Sequence, residues 1–448
     1  MRILIVGAGR AGFDIAKILS GEDQDVILID KDPEALRAAA EHLDVMTVVG
    51  NGASARTLEE VDIKAVDIIL AVTENDELNM IACMTAKQYG VPMTVARVRN
   101  SDYTSPHPHL LSFSQYGIDL IINPEHLAAQ EIFRLLAVPM ATDMEYFHEG
   151  KLSLVGLKVG EKLEIAGQRI SDLNLEKLTV VAILRDGQAL IPGGNTRLLP
   201  EDRIFVLGET KGFHNLNELI KKKTPHFRRI VIAGGGLITQ YLLRLLREKK
   251  NNLEVKIIDP RVELCRTLAG ELEGCSIICA DPTKKEVLEE EDLGPDDIFL
   301  SLQGEENLDL IASLLAHKAG VEEIICGIGR EDYIPLAEMI GVTATITPRL
   351  LLTNTMLKLV RKSNIVSINL LQSGDAEIIE VIPTEHSPAT QKCLRELNLP
   401  PGIVIGSILH QGRIIVPRGD TLIQPHDRVI IFALKSAIPT IEWLFNNK

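Results

Sequence analysis

The sequence predicts an α/β protein with two Rossmann-like doubly wound parallel sheets, each followed by a small α+β domain, the whole arising by tandem duplication. Three observations carry this reading. The chain is written twice. Each copy opens with short apolar runs that alternate with helical stretches. Each copy then closes with a shorter, strand-rich segment punctuated by turn residues.

The duplication is legible residue by residue. "RILIVGAGRAG" from Arg2 answers to "RIVIAGGGLIT" from Arg229, and the next strands end on Asp30 and Asp259. Asn51 then pairs with Asp281, Thr73 with Gln303, and Pro124 with Pro348. In the closing segments Gly187, Pro192, Pro200, Asp202 and Arg203 fall on Gly412, Pro417, Pro425, Asp427 and Arg428. So small a drift over a whole copy marks duplication rather than chance.

Taken in order, the first copy offers six buried runs: "ILIVGAG", "VILID", "VMTVVG", "IILAVT", "MTVARV" and "IDLIIN". Strands alternating with helices make right-handed parallel crossovers, hence a doubly wound sheet. One helix follows in each copy, "NPEHLAAQEIFRLLAV" and "TPRLLLTNTMLKLVRK". Asn123 and Thr347 stand as caps, with Pro124 and Pro348 at the first helical position. Their apolar residues, Leu127, Ile132, Leu135 and Leu136 in the first and Leu350, Leu351, Met356 and Leu359 in the second, need burial against another copy or half. The turns "RDG", "PGGN" and "PED" then mark the small domain. The expected domains are 1–122 and 226–347 (Rossmann units) and 140–222 and 365–448 (small units). The polar, basic stretch "IKKKTPHFRR", Ile220 to Arg229, reads as the linker between halves.

Composition narrows the function classes. The 448 residues suffice for two to four domains, and 46% hydrophobic with 24% charged is ordinary for a globular protein. Aromatics at 4% leave the cores mostly aliphatic. A net charge of -15 argues against a nucleic-acid partner and against direct binding to anionic lipid. No apolar run is long enough for a membrane span, and the N-terminus enters a strand at once, leaving no room for a signal peptide. The six cysteines, with only Cys275 and Cys279 close in sequence, read as core thiols of a reducing cytosol.

The binding chemistry sits in the first turn. Gly7-Ala8-Gly9-Arg10-Ala11-Gly12 is G-x-G-x-x-G, follows a strand and opens a helix, with Asp30 ending the next strand. Gly7 permits the sharp turn, Gly9 admits a pyrophosphate, and Gly12 lets helix and strand pack closely. The helix N-terminus offers N–H groups and partial positive charge, and Asp30 accepts from ribose hydroxyls. Loops at the same sheet end bring Asn51 and Gly52, Thr73 and Glu74, and the same-face pair Arg97 and Arg99 to this crevice. The second turn keeps Gly234, Gly235, Gly236 and Asp259, with Asp281 in place of Asn51. It carries Leu237 and Ile238 where the first has Arg10 and Ala11, Thr239 for the third glycine, and Gly327 and Gly329 for the two arginines. A weaker or different ligand, or a vestigial site, follows from these changes.

Catalytic machinery is not evident. No Tyr-x-x-x-Lys pair occurs, His107 and His109 sit in a proline-stiffened loop, and Glu74, Asp76 and Glu77 read as solvating a loop or helix start. A nucleotide sensor without turnover is favoured over an NAD-dependent oxidoreductase with an unrecognised substrate site.

On "GAGRAG", Asp30, "GNGAS", "AVTENDELNM", "VARVR" and "INPE", then on the weaker second copy, the chain resembles the TrkA family of tandem RCK (KTN plus TrkA-C) proteins over essentially its whole length. That resemblance implies a cytosolic regulatory subunit, peripheral on the cytoplasmic face of the inner membrane. It implies a homo-oligomeric ring, read as a tetramer, beneath a membrane-embedded Trk-type potassium transporter subunit. The implied ligands are NAD or NADH, with ATP and ADP as further candidates. Gly7, Gly9, Arg10, Ala11, Asp30, Asn51, Thr73 and Arg97 are the first site by position.

Overall fold

The computed structural model describes residues 1–448 except 23, 101–102, 104–112, 139, 148–150, 161–162, 164, 174, 176–177, 187, 211–212, 214–226, 249–252, 272–273, 361–364, 371–375, 401, 416 and 446–448. Most of the expected linker and the loop with His107 and His109 therefore lie outside the described residues. The linker's last residue does not: Arg229 opens a strand and is buried against Asp297, Nε to Oδ1 3.1 Å. A buried cation needs a buried anion, so this end of the linker belongs to the second core.

The described chain divides into two compact units, Met1–Leu127 with Pro348–Arg361, and Ala128–Thr347 with Lys362–Lys448. The first half runs β1 (Arg2–Val6), α1 (Arg10–Ser20), β2 (Asp25–Asp30), α2 (Pro33–His42), β3 (Met46–Val49), α3 (Ala55–Glu60), β4 (Ile68–Ala71), α4 (Asp76–Gln88), β5 (Met93–Arg97), β6 (Leu120–Ile122) and α5 (Pro124–Leu135). Its small sheet is β7 (Ala141–Phe147), β8 (Leu152–Lys158), β9 (Leu178–Arg185), β10 (Gln188–Leu190) and β11 (Arg203–Glu209). The second half repeats this as β12 (Arg229–Ala233), α6 (Leu237–Glu248), β13 (Glu254–Asp259), α7 (Val262–Glu271), β14 (Cys275–Cys279), α8 (Lys285–Glu290), β15 (Asp297–Ser301), α9 (Glu306–Lys318), β16 (Glu323–Gly327), α10 (Ile334–Met339), β17 (Ala344–Ile346) and α11 (Pro348–Val360). It closes with β18 (Ile365–Leu370), β19 (Ala376–Val381), β20 (Ile403–His410), β21 (Arg413–Ile415), β22 (Arg428–Leu434) and α12 (Ile438–Phe445).

Both large sheets are parallel and share one order, β3-β2-β1-β4-β5-β6 and β14-β13-β12-β15-β16-β17. The order reverses beside β1 and beside β12, which is where an open α/β sheet forms its crevice. Runs such as Ile3-Leu4-Ile5 and Ile230-Val231-Ile232 are fully buried because helices cover both faces. The two small sheets are antiparallel, β10-β9-β11-β8-β7 and β18-β19-β22-β20-β21, with matching connectivity. They share one core, in which Phe147, Phe205 and Leu207 meet Ile378, Ile430 and Phe432. Phe205 and Phe432 lie 6.4 Å apart between centroids. Gly406 permits this approach, since an added Cβ would stand 2.8 Å from Leu207 Cδ2.

The helices after the Rossmann sheets are as expected in place but not in face. Asn123 caps α5, accepting from the His126 N–H at 2.9 Å. In α11 the buried residues are Leu352, Thr353, Met356, Leu357 and Val360, so of the four expected only Met356 is fully buried. In α5, Ile132 and Leu135 are buried together with Ala128 and Ala129, while Leu127 and Leu136 are partly exposed. The small alanines, rather than the bulky leucines, mark the close-packed stripe. Although it follows the second sheet, α11 packs on α1 of the first unit, and Arg349 pairs with Asp14 of α1 at 2.8 Å. Among the described residues no helix is long and apolar enough to cross a membrane.

Candidate functional site: two unequal crevices

The first crevice is built around the β1–α1 turn. Gly7 has φ +111°, a conformation that L side chains rarely adopt, and its N–H donates to the Ile29 carbonyl at 2.8 Å. An added Cβ at Gly12 would stand 1.8 Å from the Gly7 carbonyl oxygen, so helix and turn touch backbone to backbone. At Gly9 the same Cβ would meet nothing within 4 Å, and no side chain caps α1 there. The helix start is therefore bare, and its free N–H groups have the chemistry that receives a phosphate. Ala8 is buried, Ala11 partly so, and Arg10 is exposed at the first helical position.

Asp30 serves the turn directly. Its Oδ2 accepts the Ala8 N–H at 2.5 Å and its Oδ1 the Asp32 N–H at 2.9 Å. Each oxygen keeps a further acceptor site, which suits a ribose diol. Asn51 is exposed and closes its own turn by accepting from the Ala53 N–H at 3.1 Å. Gly52 has a packing duty: a Cβ there would lie 2.2 Å from Val6 Cγ1.

Thr73 is held by a residue that sequence reasoning passed over. Asn79 is fully buried. Its Oδ1 accepts from the Thr73 N–H and hydroxyl at 2.9 and 2.7 Å, and its Nδ2 donates to the carbonyls of Thr73 and Arg97, both at 2.9 Å. One carboxamide thus ties the β4 loop to the end of β5. The carboxylate of Asp76 likewise anchors the Arg99 and Asn100 N–H groups, at 2.9 and 2.8 Å. Asp76, read from sequence as solvating a loop or helix start, instead fixes two backbone groups. Glu74 is exposed beside them.

The two arginines part company. Arg99 donates from Nε to Glu125 Oε1 at 2.7 Å and is occupied by that pair. Arg97 is mostly buried, and its Nε is inaccessible with no hydrogen-bond partner among the described residues. Burial lowers the proton affinity of its guanidinium, against the opposing field of Glu125. A desolvated cation with an unmet donor is costly unless an anion arrives.

The second crevice keeps the frame and changes the chemistry. Gly234 repeats the left-handed turn at φ +104°, and a Cβ at Gly236 again meets nothing. Thr239, in place of the third glycine, is fully buried and donates its hydroxyl to the Gly234 carbonyl at 2.6 Å. Gly235 is buried, and its N–H donates to Asp259 Oδ2 at 2.8 Å. Leu237 and Ile238 are partly exposed apolar residues where the first helix begins with Arg10 and Ala11. Asp259 is itself buried and chelated by Arg261, Oδ1 to Nε 2.9 Å and Oδ2 to Nη2 2.6 Å. Burial pushes its carboxyl up, but the Arg261 guanidinium and the N–H groups of Gly235 and Arg261 outweigh that and hold it below the usual carboxylate range. The acid whose counterpart in the first crevice keeps free acceptor sites is here satisfied from within.

The loops follow suit. Asp281 accepts from the Thr283 N–H and hydroxyl at 2.9 and 2.6 Å, which keeps its carboxyl low. Asp309 stands at the Asn79 position. It is fully buried and accepts from the Ser301 hydroxyl and the Gln303 and Gly304 N–H groups at 2.9, 2.8 and 3.1 Å. Burial raises its carboxyl to about 6. Gly329, opposite Arg99, has Glu306 against it: a Cβ there would lie 2.5 Å from Glu306 Oε1.

Such geometry defines a class of protein with two Rossmann-type crevices in one chain, the first with the full glycine pattern and the second altered. The chain belongs to the TrkA family. The sequence model of the TrkA-N domain matches residues 3–124 and 230–348, and that of the TrkA-C domain matches residues 154–221 and 378–446. The chain is 36% identical to Trk system potassium uptake protein TrkA homolog 2 of Methanosarcina mazei, covering 99% of this chain and 100% of that protein. It is 34% identical to the TrkA homolog of Archaeoglobus fulgidus, over 99% and 100%. Among solved structures, the RCK domain of GsuK matches with a TM-score of 0.62 at 17% identity, over 98% of this chain and 94% of that one. The GsuK channel bound to NAD matches at 0.61 and 16%, over 99% and 78%. At these identities the likeness is one of fold.

Proposed function

We propose that the chain is a nucleotide-sensing regulatory subunit of a potassium-uptake transporter, working by binding rather than by turnover. The observation that carries this is Arg97, whose buried Nε has no hydrogen-bond partner among the described residues, beside a complete glycine turn and Asp30. Relatives named Trk system potassium uptake proteins over the full chain length support the assignment to potassium uptake. The GsuK channel, with an NAD-bound form, supports the dinucleotide.

In this reading the first crevice takes NAD or NADH, or an adenine nucleotide such as ATP or ADP. The N-terminus of α1 and Gly9 receive the phosphates, Asp30 the adenine-side ribose, and Arg97 a phosphate. Asn51, Thr73 and Glu74 line the far side, and Arg99 acts through Glu125 by setting the β5 loop. Ligand binding shifts an equilibrium between two arrangements only through its differential affinity for them. Arg97 supplies that difference, because a triphosphate and a dinucleotide place charge at different points. The small domains and the helices α5 and α11 pass the change to a membrane-embedded partner from a ring of chains on the cytoplasmic face.

The test is isothermal titration of NADH and ATP into wild type and Asp30→Ala. Loss of a charged hydrogen bond should weaken NADH by about 1–3 kcal/mol. Unchanged affinity would remove Asp30 from the ligand, and oxidation of bound NADH by a metabolite mixture would overturn the non-enzymatic reading.

A further inference from the structure

We propose that Cys265 and Cys279 form a reversible dithiol–disulfide site that takes a hydroperoxide as its oxidant. The two residues are fourteen positions apart in sequence, but α7 and β14 bring them to one point. Cys265 donates its thiol to the Asp259 carbonyl at 3.2 Å. Cys279 is the residue of β14 in register with that same Asp259. Both residues therefore meet at Asp259. The alternative suggested by sequence spacing, Cys275 with Cys279, fails on geometry. Four residues along a strand span about 13 Å, well beyond the ~7 Å limit for bridged Cα atoms.

The environments assign the roles. Cys279 is exposed and is the thiol an oxidant reaches first. Cys265 is buried, and burial together with Cys279 pushes its thiol up to about 11, so it stays protonated as the resolving partner. In the first step the Cys279 thiolate attacks the peroxide, its S–O bond forms, the O–O bond breaks, and water or alcohol departs after taking a proton. In the second step the Cys265 sulfur attacks the sulfenic sulfur. The S–S bond forms, the S–O bond breaks, and water leaves with the Cys265 proton. With hydrogen peroxide, two thiols and one peroxide thus give one disulfide and two waters.

The site is confined to the second repeat. In the first, Leu36 and Val49 hold the corresponding places, Val49 being in register with Asp30 as Cys279 is with Asp259. The disulfide removes the thiol donor from the carbonyl of the residue whose carboxylate holds Gly235 and Arg261. Oxidation therefore acts on the second crevice and spares the first.

The test uses the full chain, treated with stoichiometric hydrogen peroxide, alkylated and digested without reduction for mass spectrometry. The expected result is a peptide linked through Cys265 and Cys279, four of the six thiols still alkylatable, and full recovery with dithiothreitol. Cys279→Ser, a surface change, should abolish the link and leave Cys265 alkylatable, which keeps the test valid if Cys265→Ala fails to fold. Accumulation of Cys279 as sulfinic acid with Cys265 still alkylatable, or a link from Cys279 to any other cysteine, would overturn the proposal.

Discussion

The two glycine turns of this chain have the same backbone and different obligations. At the first, a missing side chain lets α1 rest on the Gly7 carbonyl, and the acid at the end of β2 leaves lone pairs toward the crevice. At the second, a threonine hydroxyl bonds the equivalent carbonyl, and Arg261 takes up the equivalent acid. Duplication preserved the sheet order in both, so the fold does not depend on the binding groups. What differs is whether polar groups are satisfied inside the protein or left for a ligand.

The hardest way to break this comparison is to exchange the third turn residue. Gly12→Thr places a side chain on the Gly7 carbonyl, and overpacking of this kind costs about 3 kcal/mol. Denaturant unfolding should show that loss, and NADH binding should go with it. The reverse change, Thr239→Gly, loses one buried hydrogen bond and should cost about 1 kcal/mol. Equal costs would mean that the two turns are packed alike.

The carboxamide and carboxylate beneath the two crevices offer a second contrast, one that depends on pH. Burial pushes the Asp309 carboxyl up to about 6 in the fold, against ~3.9 for an unfolded aspartate. Between those values the native state holds a proton that the unfolded state has released. Stability therefore falls as pH rises through that window and stays lower above it. Asp309→Asn should abolish this slope and raise stability at pH 7 by about 2 kcal/mol. A melting-temperature series from pH 4 to 7 for both proteins would check it; parallel curves would mean that Asp309 is not the titrating group.

The arginines give the third contrast. Arg97→Ala removes a buried donor with no partner among the described residues and should weaken phosphate-bearing ligands by about 2 kcal/mol. Arg99→Ala breaks a half-exposed pair with Glu125 and should cost at most about 1 kcal/mol. Titration calorimetry of both variants with ATP would rank them, and an equal loss would return Arg99 to the ligand.

Much of this was readable in the chain. Every strand of the first sheet matches a run picked out by its apolar residues, β1 and β2 starting one residue earlier, and the turn, Asp30 and the Asn123 cap lie where local chemistry puts them. The missed features are those that need two distant segments at once. Asn79 acquires its role only when β4 and β5 lie side by side, although its string repeats in the second half with Asp309 at the same place. That α11 rests on α1 has no local signal, because an apolar helix face does not name its partner. The same-face pairing expected of Arg97 and Arg99 fails because β5 ends at Arg97, and Arg99 beyond it pairs with Glu125 of α5.

The central claim, that one crevice is open to a nucleotide and the other is satisfied from within, is tested most directly by stoichiometry. NADH should be titrated into the full-length protein and into an Asp30→Ala/Arg97→Ala double variant at matched chain concentration and low salt. The account predicts one tight site per chain in the wild type, lost in the double variant. Two equal sites per chain, or a tight site that survives the double substitution, would contradict it.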